Sequence, residues 1–385
     1  MYYSKCFRTA LAALALSLAA LAQAPAPAPA PAPTPAPQAA PAAPAPWSAG
    51  PIDFSGLVDG YYDVNFNHPA SGNNVNRNFD VRANSFSLNM AKLVMEHAPD
   101  PVGFRIDFGF GRAFDIFHAS EPLTDGKDIM RHIMQAYVSL KPKNGAGFQF
   151  DFGKFATSAG AEVTETHLNW NYSRGFLYAN GPYYHFGARV SKPITPYWTG
   201  GFQLVNGWNN VEDNNSGKTI GLTSALNSKK ISLLNNYYVG PEKTGTNEGY
   251  RHFFDSVLLL NPSDKANFFI NYDYGVDKGI KGTKGGNRPF YGIAFAGHFT
   301  ANSWLSISPR YEFYNDIGGL ITLQKQRLNS FTMTAEAKMT KGFLTRLEYR
   351  RDWSNKPYFD RGNELANHKN QNTILVGFIV FFGPK

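Results

Sequence analysis

The sequence predicts an all-β chain, a transmembrane antiparallel β-barrel of about sixteen strands with short turns at one end and long loops at the other. Three observations carry that reading. Apolar and polar side chains alternate with a period of two along most of the chain after residue 51. Long and short connections alternate strictly between the alternating segments. An export leader precedes them all. Side chains of a strand point to opposite faces in turn, so each such segment has one apolar and one polar face. A closed barrel with lipid outside and water inside uses both faces on every strand.

Composition agrees. The chain has 385 residues, 15% aromatic side chains, 36 glycines and only 17% charged residues. Helix-rich soluble enzymes usually carry more charge and fewer aromatics. The formal net charge is +8, and removing Lys5 and Arg8 of the leader leaves about +6. No Lys/Arg block interleaved with aromatics marks a nucleic-acid groove. The one cysteine, Cys6, falls in the leader, so neither disulfides nor thiol chemistry are expected in the exported protein.

The leader comes first in the chain. Lys5 and Arg8 form a positive start, Thr9–Leu21 a short apolar core, and Ala20, Ala22 and Ala24 a small-residue cleavage region, which predicts a signal peptide over 1–22. The apolar core is too short to span a bilayer. Residues 23–50 follow as an Ala/Pro-rich linker, with 10 of the 25 prolines in 23–46. Such a segment is expected to be solvated and largely polyproline-II. At ~3.1 Å per residue it reaches roughly 70 Å, enough to serve as a periplasmic spacer with peptidoglycan as a candidate contact.

The barrel is predicted over 51–385, with strands at 52–66, 82–96, 102–114, 129–141, 147–155, 182–191, 197–208, 217–227, 229–239, 250–260, 265–275, 288–299, 302–314, 328–340, 343–353 and 371–382. The clearest pair is 331–353. Phe331, Met333, Ala335, Ala337 and Met339 alternate with Thr332, Thr334, Glu336 and Lys338, and Phe343, Thr345, Leu347 and Tyr349 alternate with Leu344, Arg346, Glu348 and Arg350. Val102, Phe104, Ile106, Phe108 and Phe110 are expected to face lipid, as are Tyr184, Phe186, Ala188 and Val190. The second strand breaks phase between Phe86, Leu88 and Met90 on one side and Leu93 and Met95 on the other, and a bulge near Ala91–Lys92 would reconcile them. Aromatics near strand ends, among them Tyr61, Tyr62, Tyr184, Trp198, Tyr238 and Tyr314, are expected to form interfacial girdles. An even strand count puts both chain ends on the short-turn side.

Several segments resemble a known family. Phe54-Ser55-Gly56 through Asp59, Tyr61-Tyr62 and Asn65-Phe66-Asn67 resemble the opening of the putative β-barrel porin-2 family, also called OmpL-like. Arg77-Asn78-Phe79-Asp80, Asn84 to Asn89, Gly103-Phe104-Arg105-Ile106-Asp107 and Asn169-Trp170-Asn171-Tyr172-Ser173-Arg174 fit the same picture. The resemblance covers most of 52–382 and implies a Gram-negative outer-membrane channel of limited selectivity. One departure is the end of the chain, where Phe381 and Phe382 are followed by Gly383-Pro384-Lys385 rather than ending on an aromatic residue.

On this reading the functional residues are those that line water. A barrel of about sixteen strands is too wide for side chains to fill. A Lys or Arg on the lipid face at mid-bilayer costs roughly 2–4 kcal/mol, so strand charges are expected to point inward. The candidate pore-lining residues are Arg105, Asp107, Asp151, Arg189, Arg310, Glu312, Glu336, Lys338, Arg346, Glu348 and Arg350. The third long loop, 156–181, resembles in its layout the loop that narrows general porins, and its candidate constriction residues are Glu162, Glu165, His167 and Arg174. A loop packed outward over the rim is the bland alternative. Expected partners are outer-membrane lipid and lipopolysaccharide, small hydrophilic solutes and, as an open oligomeric state, a homotrimer. No H-E-x-x-H, G-x-S-x-G or Cys/His cluster is present, so no cofactor, metal or catalytic set is expected. Asp213-Asn214-Asn215-Ser216-Gly217 lacks the ligands of a calcium loop and reads as a turn. The competing functions are a non-conducting envelope-tethering or adhesin barrel and an outer-membrane barrel hydrolase.

Overall fold

The computed structural model describes residues 47–121, 127–280 and 285–384. The leader, the Ala-Pro segment through residue 46, and Lys281, Gly282 and Lys284 in the connection before β12 lie outside the described residues. The strands are β1 Ile52–Asn65, β2 Ser85–His97, β3 Val102–Phe110, β4 Ile133–Leu140, β5 Gln149–Ala156, β6 Tyr184–Thr195, β7 Trp198–Val205 and β8 Thr219–Asn227. They continue as β9 Ile231–Gly240, β10 Arg251–Ser263, β11 Ala266–Asp277, β12 Arg288–Thr300, β13 Leu305–Asp316, β14 Gln326–Thr340, β15 Phe343–Ser354 and β16 Asn370–Phe382. Each pairs antiparallel with the next, and β16 pairs with β1 from Thr373↔Asn65 to Phe382↔Gly56, which closes the sheet. Closure leaves no unpaired edge, the condition for crossing lipid with strands. Among the described residues no helix is long and apolar enough to cross a membrane.

Side-chain exposure separates the two faces. Val58, Phe108, Val138, Phe152, Leu222, Leu347 and Phe378 stand exposed on the outer wall. Their neighbours of opposite phase, such as Asp59, Asp107, Ser139, Asp151, Arg346, Glu348 and Asp352, are buried inside. Even-numbered connections are tight, for example Lys341-Gly342 between β14 and β15, whereas the odd ones run long, for example 157–183 and 355–369. Gly342 takes φ +78° in its turn, a conformation L side chains rarely adopt.

The structure corrects four details. The bulge in β2 lies at Asn89, not at Ala91–Lys92: Asp59 pairs with Met90 and Gly60 with Leu88. The extra residue lets Asn89 donate to Asp59 Oδ2 at 2.8 Å, and it turns Met90 and Lys92 inward. The third strand stops at Phe110, because the chain folds into helix α1, Arg112–Phe117. Ser48–Ala49, inside the stretch assigned to the linker, pairs with Ile52 and Asp53, and Trp47 packs on Phe382 with ring centroids 5.0 Å apart. Tyr61, Tyr184, Tyr238 and Tyr314 are fully buried rather than girdle residues, since three of the long loops fold back and cover them.

Candidate functional site

An irregular segment inside a barrel carries backbone N–H and C=O groups that need partners, and only inward-facing side chains of the wall can supply them. That requirement is met along the third long loop, here L3 (157–183). L3 leaves β5 and returns to β6, closed at its base by Thr157 N–H donating to Tyr183 C=O at 3.0 Å. Between those ends it crosses the lumen, with a 3-10 turn at Thr166–Leu168 and helix α2 at Phe176–Asn180. Ser158 donates to Asn236 of β9 at 2.7 Å, and Ala161 N–H donates to Asn271 of β11 at 3.0 Å.

On the β13–β15 wall the arginines and glutamates grip the L3 backbone from both polarities. Arg346 donates to the carbonyls of Thr166 at 2.8 Å and Asn171 at 2.9 Å, and to that of Asn169. Arg310 donates to Ser173 C=O at 2.8 Å and Arg350 to Arg174 C=O at 2.7 Å. In return Glu348 accepts from the N–H groups of Tyr172 at 2.7 Å and Ser173 at 3.0 Å, and Glu312 accepts from Phe176 N–H at 2.7 Å. The cations also pair with wall or loop carboxylates: Arg310 with Glu162 at 2.5 Å, Arg346 with Glu336 at 2.6 Å and Arg350 with Asp352 at 2.8 Å. Arg310, Arg346 and Arg350 are each only 1% exposed. A buried pair stripped of one partner typically costs 3–5 kcal/mol, so this ladder fixes the loop firmly.

L3 also spans to the opposite seam. The Tyr172 hydroxyl and the Thr166 hydroxyl both donate to Asp59 of β1. The Tyr172 ring lies over Gly377 of β16, where any Cβ would collide with it. Glu165 pairs with Lys92 of β2, and His167 stacks on Phe381 with centroids 4.6 Å apart. Burial pushes the Glu165 carboxyl up, but the adjoining Lys92 outweighs it and holds the group below its ordinary value. Burial pushes the His167 imidazole down to about 4, so it is neutral at neutral pH.

The wall facing the other flank of L3 is different. Arg105 of β3 bonds Asp107 at 2.7 Å and Glu96 at 3.0 Å, and Arg189 of β6 bonds Asp151 at 2.7 Å. Arg189 lies over the Tyr137 ring at 5.3 Å, and Tyr137 in turn pairs with Arg105 across β3 and β4. These two guanidinium side chains keep 25% and 27% exposure. Leu168 and Val163 of L3 are exposed as well. Between L3 and β1–β4, on the short-turn side of the loop, is a recess of about 310 Å³ lined by Lys92, Arg105, Gln135, Glu165, Leu168 and Phe382.

All the candidate wall residues lie in the inward phase, but in two settings. Arg310, Glu312, Glu336, Arg346, Glu348 and Arg350 are covered by L3, whereas Arg105, Arg189 and, near the short turns, Lys338 remain accessible. Asp107 and Asp151 sit beneath their arginines. In the loop, Glu162 and Glu165 meet one arginine and one lysine in direct contact instead of facing arginines across a gap. Arg174 is turned into the loop itself, donating to the carbonyls of Val163 at 3.0 Å and Thr164 at 2.6 Å.

Sequence reasoning missed Asp59, Lys92, Arg77 and Lys154. Lys92 was hidden by the misplaced bulge. Arg77 belongs to the first long loop, L1 (66–84), which also turns inward: Arg77 bonds Asp352 at 2.7 Å, and Phe79 lies under Arg174 at 5.0 Å and against Tyr178 at 5.8 Å. Lys154 shares the phase of lipid-facing Phe152, yet it is 1% exposed. The described part of the second long loop, L2 (111–121 and 127–132), covers it: Glu121 lies 3.4 Å away, and the Tyr184 ring of β6 is 4.1 Å away. The same cover buries Tyr184, expected to face lipid, against Phe117 at 5.0 Å. No alternation rule signals a loop that folds back.

Among the described residues no group of three or more His, Cys, Asp or Glu is placed to hold a metal ion. Asp213 and Asn215 instead accept from Asn215 N–H at 3.0 Å and Gly217 N–H at 2.9 Å, as turn residues do.

A closed sixteen-stranded antiparallel barrel with its third loop drawn into the lumen defines a porin-type outer-membrane barrel. The chain belongs to the family described as "Putative beta-barrel porin-2, OmpL-like", whose model matches residues 51–382. Solved structures share the fold at low identity. The anion-selective porin from Comamonas acidovorans is 12% identical with a TM-score of 0.56, covering 86% of this chain and 99% of that one. Outer-membrane expressed OmpT of Vibrio cholerae is 10% identical with a TM-score of 0.55, covering 86% and 97%. OmpF of Salmonella typhi, in complex with daunomycin, is 12% identical with a TM-score of 0.52, covering 86% and 97%. Among curated proteins, none matches the chain in sequence.

Proposed function

We propose that the protein is a passive diffusion channel for small hydrophilic solutes and ions, with L3 as its constriction. The observation that supports this most is the two-sided grip of Arg310, Arg346, Arg350, Glu312 and Glu348 on the L3 backbone, which holds a narrowing element across a lumen too wide to fill with side chains. Solutes then pass on the other flank, between L3 and the β2–β6 wall, down their own gradients. Arg105, Arg189 and Glu165 are the charges they meet, and such charges set ion preference. The reading assigns no catalytic role to any residue. The exposed Lys356 and Lys369 of the last long loop are offered as contacts for anionic lipopolysaccharide.

One observation favours a second reading, a non-conducting envelope-tethering barrel: residues of all three loops meet in one buried apolar cluster, Phe79, Phe114, Phe117 and Tyr178 with Leu57 and Met90. Planar-bilayer recording of the refolded mature protein separates the two. Stepwise openings are expected for the channel. A silent bilayer, with the barrel shown intact by heat-modifiable gel mobility, overturns it in favour of the tether.

A further inference from the structure

We propose that the recess on the short-turn side of L3 selects zwitterionic amino acids that carry an apolar side chain. This rests on the channel reading and names the solute class for it. The recess of about 310 Å³ sits at the small end of ligand-sized cavities, which suits single amino acids rather than peptides.

Its chemistry is dipolar. Two side chains of opposite sign line it and keep contact with water: Arg105, 25% exposed, and Glu165, 16% exposed. They are joined by a buried bridge. Lys92 bonds Glu165 and also Asp107, the latter at 2.9 Å, and Asp107 accepts from Arg105 Nε at 2.7 Å. Gln135 donates to the same Asp107 at 2.9 Å, which pins the bridge from a third strand. The accessible plus and minus charges are therefore held in fixed positions a short chain of contacts apart. A solute bearing both an ammonium and a carboxylate satisfies both at once, through charge-assisted hydrogen bonds. A solute with a single charge meets one attractive and one repulsive group.

Beside Ser55, Gln135 and His167, the lining also carries apolar side chains. Leu168 projects from L3, 62% exposed, and Phe382 is exposed as well, with the buried Leu57 and Val94 behind them. Bare apolar surface within a water-filled passage gains by covering itself with another apolar group. Leucine-like solutes fill that role, whereas glycine and sugars do not.

Swelling of proteoliposomes that contain the mature chain tests this, with each rate divided by that of glycerol in the same vesicles. Leucine is compared with leucinamide, which lacks the carboxylate, isocaproate, which lacks the ammonium, and glycine, which lacks the side chain. Leucine is expected to exceed all three. Arg105→Gln and Glu165→Gln are each expected to cut the leucine ratio by roughly three- to tenfold, the worth of one partly exposed charged hydrogen bond. Leu168→Ser brings leucine down to glycine, and Arg361→Gln, exposed in the last long connection (355–369), keeps the original ratio. Glycerol entry with equal leucine, leucinamide and isocaproate ratios, or leucine ratios unmoved in both charge variants, overturns the proposal and leaves the channel standing. Vesicles that admit no glycerol overturn both.

Discussion

Two sets of arginines face the inside of this barrel, and they live in opposite environments. Those of β13–β15 are sealed beneath L3, each bonded to loop carbonyls and to a carboxylate. Those of β3 and β6 are bonded only to carboxylates and stay a quarter exposed. The first set has exchanged water for loop backbone and acts on solutes only by holding the constriction in place. The second set retains water that a solute can displace. An inward-pointing charge is thus no guarantee of a pore charge, and the distinction is invisible in strand periodicity.

The largest effect expected from this contrast is at Arg346. Arg346→Met removes three donors to L3 and leaves Glu336 buried without its partner, which should lower barrel stability by about 3–5 kcal/mol. Heat-modified gel mobility reads the loss, and single-channel conductance should rise as L3 loosens. Reversal potential should stay near that of the wild type. If selectivity moves and stability does not, the division between the two sets is wrong.

The converse is expected at Arg105 and Arg189. Replacing both by Gln should shift the reversal potential toward cations, with a stability change of no more than about 1 kcal/mol for each partly exposed pair. The two loop glutamates sharpen the comparison further. Glu162 accepts from Gly175 N–H at 2.7 Å while pairing with Arg310, so Glu162→Gln should act mainly on conductance. Glu165→Gln should act on selectivity, toward anions. Unchanged reversal potentials in the Glu162/Glu165 double variant would refute the role of the recess in ion choice.

A smaller effect is expected from pH. His167 has a folded-state pKa near 4 against its ordinary 6.5, because burial penalises its charged form, and Glu165, Lys92, Arg346 and Arg174 are the charges that act on it. The unfolded chain therefore takes up this proton first as pH falls. Stability contributed by the neutral ring is complete above about 6.5 and is lost between there and 4. His167→Phe keeps a ring against Phe381 without the titration, and it should flatten thermal stability measured across that window. Trp47→Ala, which removes one ring contact at the chain's entry, should cost least, about 0.5–1.5 kcal/mol beyond the lost area.

Much of the wall was legible in the sequence, and the physical reason is that lipid imposes a two-residue period. Val102 to Phe110 and Phe331 to Ala337 obey it without exception, and their polar neighbours take the inward phase as expected. The interior was far less legible. Leu57, Met90, Phe290 and Leu328 are apolar yet point inward, since inward-folded loop residues such as Phe114, Phe176 and Leu177 replace water there. The β2 bulge was misplaced because its cause is a long-range bond from Asn89 to Asp59, not a local turn signal. Loop residues carry no periodicity, so the seat of L3 had to come from three-dimensional partners.

Tyr172 has a consequence for how such a molecule is assembled. Its ring occupies a notch at Gly377 on the last strand, and its hydroxyl holds Asp59 on the first. Those two strands meet at the joint that completes the cylinder. The sealing of the first strand against the last and the seating of the internal loop therefore depend on the same contacts: the peg belongs to L3, and the two halves of its socket to the two strands it joins. A larger side chain at 377 would strike both at once, leaving the cylinder unsealed and its internal loop unmoored.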